Sequence, residues 1–333
     1  MRAMLTLLFL LALATPALAS DGMLEISQTC AVNTGCFSGD AAGYPVTISL
    51  TGRSFVLTSR LFVPDENTDA IVVSVPRVSI DLGGFDIGGP VTCSGIPLVC
   101  TPGSGTGAGV TIGSLGTFAN ISVKNGSITG MGNYGVYLPE HAKVTNLAVY
   151  SNGSSGIRSG AGSIVSGNTS NRNGGDGIGV GSGSTISGNV AFENGSSGIF
   201  ADSGSTVSGN AANGNAGQGI RTQPGSTVSG NTTVGNASEG IQGAWGSTIV
   251  DNAIVSNGST NLHDGIECSS GCTVRGNSVR SNSGYGLNLG TDSAYSDNVV
   301  TANTTGTVTG AGSTNSRGGN YCAGTGAVLV SCP

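Results

Sequence analysis

The chain has 333 residues, 37% of them hydrophobic and only 9% charged, with a formal net charge of −6. That acidic balance excludes the broad basic surface that nucleic acid or an anionic membrane would require. With 59 glycines and 5% aromatics the composition fits either disorder or a repetitive β-protein, and periodicity decides between them.

The first element in chain order is a leader. Arg2 precedes an apolar run from Leu5 to Leu13, followed by Pro16 and Ala17-Leu18-Ala19. A short positive region, an apolar stretch and an Ala-x-Ala site predict a signal peptide over 1–19. The apolar run is too short to anchor in a bilayer, so no membrane insertion is expected after cleavage. A secreted or periplasmic location follows.

Export makes the 8 cysteines interpretable. They fall into close pairs, and four local disulfides are predicted: Cys30–Cys36, Cys93–Cys100, Cys268–Cys272 and Cys322–Cys332. Each closes a short loop and contributes on the order of 2–3 kcal/mol. A metal reading is disfavoured by the absence of Cys-x-x-Cys and by the presence of only 2 histidines. Residues 20–50, with the first pair, are expected to form an N-terminal cap. The Gly/Pro/Ser-rich stretch from Cys93 to Gly109 reads as a stapled loop thrown out of an early rung.

From residue 135 the chain repeats. Gly followed by an aliphatic recurs at Gly135-Val136, Gly156-Ile157, Gly177-Ile178, Gly198-Ile199, Gly219-Ile220, Gly240-Ile241, Gly265-Ile266 and Gly286-Leu287. The step is 21 residues, except for 25 between Gly240 and Gly265. Eight residues after each aliphatic lies a second apolar column: Val144, Val165, Ile186, Val207, Val228, Ile249, Val274 and Tyr295. Two asparagine columns keep the same step, one from Asn168 to Asn298 and one from Asn152 to Asn303. The β-type runs are short, and Gly, Asn and Ser between them suit tight turns of positive φ or side-chain capping. One rung cannot bury its apolar residues. Stacked rungs can, with equivalent residues about 4.8 Å apart. The asparagines are then expected to bond amide to amide along the axis. The Asn-x-Ser/Thr triplets at Asn120, Asn125, Asn152, Asn194 and Asn257 are read as by-products of Asn columns beside Gly and Ser rather than as glycan acceptors.

The units, of the form Gly-Ile-x7-[Val/Ile]-x2-Asn, resemble the parallel β-helix repeats of the pectin-lyase-like superfamily. Tyr44–Ile48, Ser54–Thr58 and Val78–Phe85 resemble the opening rungs of bacterial β-helix proteins. The resemblance covers roughly residues 43–303 and, with the usual hand of parallel crossovers, implies right-handedness. The expected fold is all-β: a right-handed single-stranded parallel β-helix, or solenoid, with about 21-residue rungs over 51–303. Disulfide-stapled caps are expected at its ends, the second over 304–333, and a monomer is expected.

The resemblance implies an extended polysaccharide along one outer face, worked on by hydrolases, lyases or uronan epimerases. The Asn-Thr-Asp, Asp-Asp, Gly-His-Gly and Arg-Ile-Lys segments of the pectin hydrolases are absent. Only Lys124 and Lys143 are available as a lysine base. Leu262-His263-Asp264-Gly265 shares only its His-Asp step with the epimerases' Asp-Pro-His-Asp-like segment. The irregular rung nevertheless inserts four residues within Ser259–Asp264, and insertions in solenoids map to a working face.

Strand alternation turns the residue after each inward aliphatic outward, giving the column Tyr137, Arg158, Gly179, Phe200, Arg221, Gln242, Glu267 and Asn288. On this face Phe200 would stack on a sugar and Arg221 would pair with a uronate. Gln242, Glu239 and Trp245 would add binding contacts. His263, Asp264, Glu267 and Arg221 are the catalytic candidates for proton exchange. Glu239 and Asp264 would hold calcium, the one cofactor this face suggests; none is required. The alternative is that these charges are solvated surface. Three functions stay open: a β-helix binding a polysaccharide or cell-surface glycan without catalysis, a polysaccharide lyase or uronan epimerase, and a structural or adhesive rod.

Overall fold

A computed structural model describes residues 22–103, 105–113, 119–259, 261–310, 312, 315–324 and 332. The expected leader over 1–19 lies outside them.

Each repeat folds into one coil of three short strands, as in Ile178–Val180, Thr185–Ser187 and Val190–Phe192. β-branched residues occupy the strands and Gly, Ser and Asn the corners, each where its backbone preference fits. The first strand of every coil joins a 12-stranded parallel sheet, here called the front sheet. The other two strands of each coil merge into a 22-stranded sheet that wraps the remaining sides. Thr92–Ser94 and Val99–Thr101 form a separate antiparallel hairpin carrying Cys93 and Cys100.

The apolar columns stack in register. Ile157 pairs with Ile178, Ile178 with Ile199, Ile199 with Ile220 and Ile220 with Ile241, and all five are fully buried. The second column, from Val144 to Tyr295, is equally continuous and buried. A third inward column runs through Val149, Ser170, Ala191, Ala212, Thr233, Ile254, Val279 and Val300. Its mixture of small and polar residues hides it from hydrophobic periodicity.

Both asparagine ladders form. Asn194 Nδ2 donates to Asn215 Oδ1 at 3.0 Å and to the Ser170 carbonyl at 3.1 Å, while its backbone N–H donates to the same Asn215 oxygen at 3.0 Å. Each buried amide is thus used on both sides, as burial demands. The other ladder continues to Asn320, which accepts from Asn298 at 3.0 Å. A serine column adds further rung-to-rung bonds, with Ser163 N donating to Ser184 Oγ and Ser184 N to Ser205 Oγ.

The glycine before each aliphatic has a different role from the one its turn-like context suggests. Gly177, Gly198 and Gly219 do not have positive φ. A Cβ on Gly198 would lie 2.6 Å from Asn215 Nδ2 and 2.7 Å from the Gly219 carbonyl oxygen, so the asparagine ladder and the next coil exclude a side chain. The corner glycines Gly188, Gly209 and Gly230 do adopt φ near 63°, where other residues are strained.

All four cysteine pairs are joined, consistent with an extracytoplasmic protein. Pairing reaches beyond the repeats at both ends. Leu24–Ile26 pairs with Phe55–Leu57, and Tyr321–Ala323 with Val299–Thr301. The helix Gln28–Asn33, capped by Ser27, buries Ala31 in the core.

Candidate functional site

The outward column of the front sheet is continuous: Tyr137, Arg158, Gly179, Phe200, Arg221, Gln242, Glu267 and Asn288 are direct cross-strand partners in that order. Parallel stacking therefore places successive positions of this column about 4.8 Å apart along the axis, with a side chain at each except Gly179.

The upstream half is aromatic and cationic. The Arg158 and Arg221 guanidinium carbons lie 5.8 and 5.7 Å from the Phe200 ring centroid, within cation–π range. Tyr134 and Tyr137 stack at 5.1 Å beside them. A depression of ≈ 330 Å³ lies here, lined among others by Tyr137, Glu140, Arg158, Phe200 and Asp202. The Asp202 carboxyl is held below the usual aspartate value, first by the Ser203 N–H and then by other hydrogen bonds and the charge of Arg158, which outweigh its slight burial.

The downstream half is acidic and hydrogen-bonded. Gln242 Nε2 donates to Glu267 Oε2 at 2.9 Å. Along the upstream border of the strands, the residue before each glycine forms its own column. In it, Gln218 Nε2 donates to Glu239 Oε2 at 3.2 Å and Ser197 Oγ to Gln218 Oε1 at 3.2 Å. Glu239 is 7% exposed. Its Oε1 meets His263 Nδ1 at 2.5 Å and its Oε2 accepts from Ser238 Oγ at 2.6 Å. Burial pushes the Glu239 carboxyl up, but the bonds from Ser238, its own backbone and His263, with the histidine's charge, outweigh it and leave it below the ordinary glutamate value.

His263 owes its place to the four-residue insertion. Ser283, one coil on, donates to the carbonyls of Gly258 and Asn261 at 2.6 and 2.7 Å, and Gly284 N donates to the His263 carbonyl at 2.7 Å. The longer corner is therefore fastened to its neighbour, and the ring is fixed by one nitrogen. Among the described residues Nε2 has no hydrogen-bond partner. That is the arrangement of an imidazole oriented by a carboxylate, with a second nitrogen available to exchange a proton.

The other expected site residues divide. Asp264 accepts from Tyr285 N at 2.7 Å and from Asn288 Nδ2 at 2.9 Å. The oxygens of both Glu239 and Asp264 are thus engaged by protein donors, and a calcium ion there would have to displace them. No group of three or more His, Cys, Asp or Glu converges as metal ligands among the described residues. Trp245 is 63% exposed at the turn three residues past Gln242 and is not brought to the His263 border. Sequence reasoning did not assign roles to Gln218, Ser238, Asp202 or Arg158. Gln218 and Glu239 share the column before the glycines, so that column's polarity was the available signal.

A family model described as a right-handed beta helix region matches residues 110–257. No curated protein matches the chain in sequence. Among solved structures it is similar to the A-module of mannuronan C-5 epimerase AlgE4 from Azotobacter vinelandii, at 16% identity over 92% of this chain and 88% of that one, with TM-score 0.58. It is also similar to the Dettilon tailspike protein (14% identity, 88% and 70% covered, TM-score 0.57) and to pectate lyase Pel9A (14%, 90% and 79%, TM-score 0.54). At these identities the likeness is one of fold. The chain is a right-handed parallel β-helix with pectin-lyase-like structural neighbours.

Proposed function

We propose that this protein is exported and binds an extended polysaccharide or cell-surface glycan along the outer face of the front sheet. The observation that carries this reading is the outward column from Tyr137 to Asn288, continuous in register, which presents aromatic, guanidinium, amide and carboxylate groups on every coil but that of Gly179. A linear glycan offers repeated ring faces and hydroxyls, and such a column matches them with stacking surfaces and hydrogen-bond partners. The neighbours named as an epimerase and a pectate lyase support it at the level of fold, which by itself does not assign function. Trp245, exposed on the far border, is a further stacking platform. The test is a panel of neutral and acidic polysaccharides presented to the purified mature chain. Retention of one class is expected, and no retention of any glycan would overturn the reading.

A second reading, proton transfer on an acidic glycan by a lyase or epimerase, is favoured by the Glu239–His263 pair. In it His263 Nε2 exchanges the sugar proton, Arg221 neutralises the uronate, and Asp264 and Glu267 flank the reacting ring. Incubation with polyuronates, with and without calcium, reads out unsaturated ends or inverted uronate stereochemistry. Activity abolished by His263→Ala supports this reading. Binding without any product overturns it and leaves the first intact.

A further inference from the structure

We infer that the protein binds ice through a second face, formed by the outward residues of the middle strand of each coil. This goes beyond the glycan reading and uses none of its residues. In that strand Thr185, Thr206, Thr227 and Thr248 are direct cross-strand partners. Two residues on, Ser187, Ser208 and Ser229 make a second file, which Ser166 extends upstream. All of these side chains are exposed or partly exposed. From Ile164 to Val250 no outward position of the strand is charged, and Lys143 and Arg275 bound the stretch.

Packing does not impose this repetition. Outward positions elsewhere change from coil to coil: the front column runs Arg158, Gly179, Phe200, and the last strand runs Thr169, Val190, Ala211. Nor does the fold use these hydroxyls. Buried serines bond between coils, as Ser184 N does to Ser205 Oγ at 3.2 Å. The outward threonine and serine hydroxyls hydrogen-bond to no described residue. The Ser184–Ser205 ladder borders the strand on one side and the Asn189–Asn210 ladder on the other, and side-chain ladders keep a stacked sheet flat.

The result is an uncharged grid of hydroxyls, about 4.8 Å apart along the axis and about 6.6 Å apart along the strand. A ligand that meets every node must itself be periodic in two directions. Water oxygens on a prism face of ice repeat at close to these spacings, and a hydroxyl can replace a lattice water as donor and acceptor. The threonine methyls order the first water shell. Strongly hydrated ammonium groups, which would disturb the lattice, are absent from the grid. A sugar ring would find no aromatic among the outward residues of this stretch to stack on.

The test is partitioning of the mature chain into slowly growing ice, with thermal hysteresis measured on the same samples. Thr206→Lys and Thr227→Tyr interrupt the grid, one by charge and one by bulk. Thr232→Lys places a charge on the neighbouring face instead, and circular dichroism checks each fold. The parent is expected to enter ice and to show hysteresis, both grid variants to lose both properties, and Thr232→Lys to retain them. Exclusion of the parent from ice overturns the inference whatever the variants do. Ice entry by both grid variants equal to the parent's overturns it, as does equal loss in all three. Retention on an insoluble crystalline polysaccharide without any effect on ice also overturns it, and leaves the glycan reading standing.

Discussion

Glu239 holds His263 across one coil of the helix, carboxylate Oε1 to imidazole Nδ1 at 2.5 Å, while almost wholly buried itself. A buried carboxylate is tolerated only where donors surround it, and here Ser238, Gln218 and His263 supply them. Because the native carboxyl sits below the ordinary glutamate value, its ionised form stabilises the fold. That contribution is complete above the unfolded glutamate pKa and is lost as pH falls through the lower native one. Acid titration of stability, followed by circular dichroism, should show a steeper loss below about pH 4.5 in the parent than in Glu239→Gln. Identical acid limbs would show that the pair contributes nothing.

The inward isoleucines stack in register with their equivalents in the coils above and below and are fully buried. Ile199→Ala is expected to destabilise by roughly 2–5 kcal/mol. Phe200→Ala, one residue on but outward, should change stability far less. Denaturant unfolding of the two variants tests the assignment of faces.

Asn215→Ala removes an acceptor used by both the side chain and the backbone of Asn194, and the donor that serves Asn236. It leaves buried groups unpaired, at a cost of about 1–3 kcal/mol for each orphaned group. Asn215→Asp keeps the acceptor but loses the donor and buries a charge, so it should not rescue. Chemical denaturation at pH 7 separates these outcomes.

Thr222 carries a buried hydroxyl with no protein hydrogen-bond partner among the described residues, as do Ser159 and Ser247. It lies in an inward column with Ala201 and Gly243. Thr222→Val keeps the shape and removes the orphan, and should raise stability by about 1 kcal/mol. A lowered melting temperature would count against this account.

The stacking was legible because it needs only identity of spacing and chemical type, which the Gly-Ile and Asn columns preserve over every coil. The third inward column was not, since Ser170, Ala191 and Thr233 share no hydrophobic signature; what they share is small volume. Ser170 meets burial by donating to the Gly177 carbonyl at 2.6 Å. The insertion before Gly265 pointed to His263 and Asp264, but not to the partner each would meet. Asp264 turned to Tyr285 and Asn288, and His263 to Glu239. The reach of Arg158 to Phe200 was hidden for a different reason: it depends on an absent side chain at Gly179, on the coil between the two.

The corner around His263 carries one last consequence. Asn252 still bonds to Asn277 at 2.9 Å, and Asn257 to Asn282 at 3.0 Å, although four extra residues intervene between each pair. The added length is absorbed wholly outside the stack, so neighbouring coils register no shift. Insertions or deletions at that edge can accumulate without refitting the interior, and new chemistry can be tried there at little risk to folding.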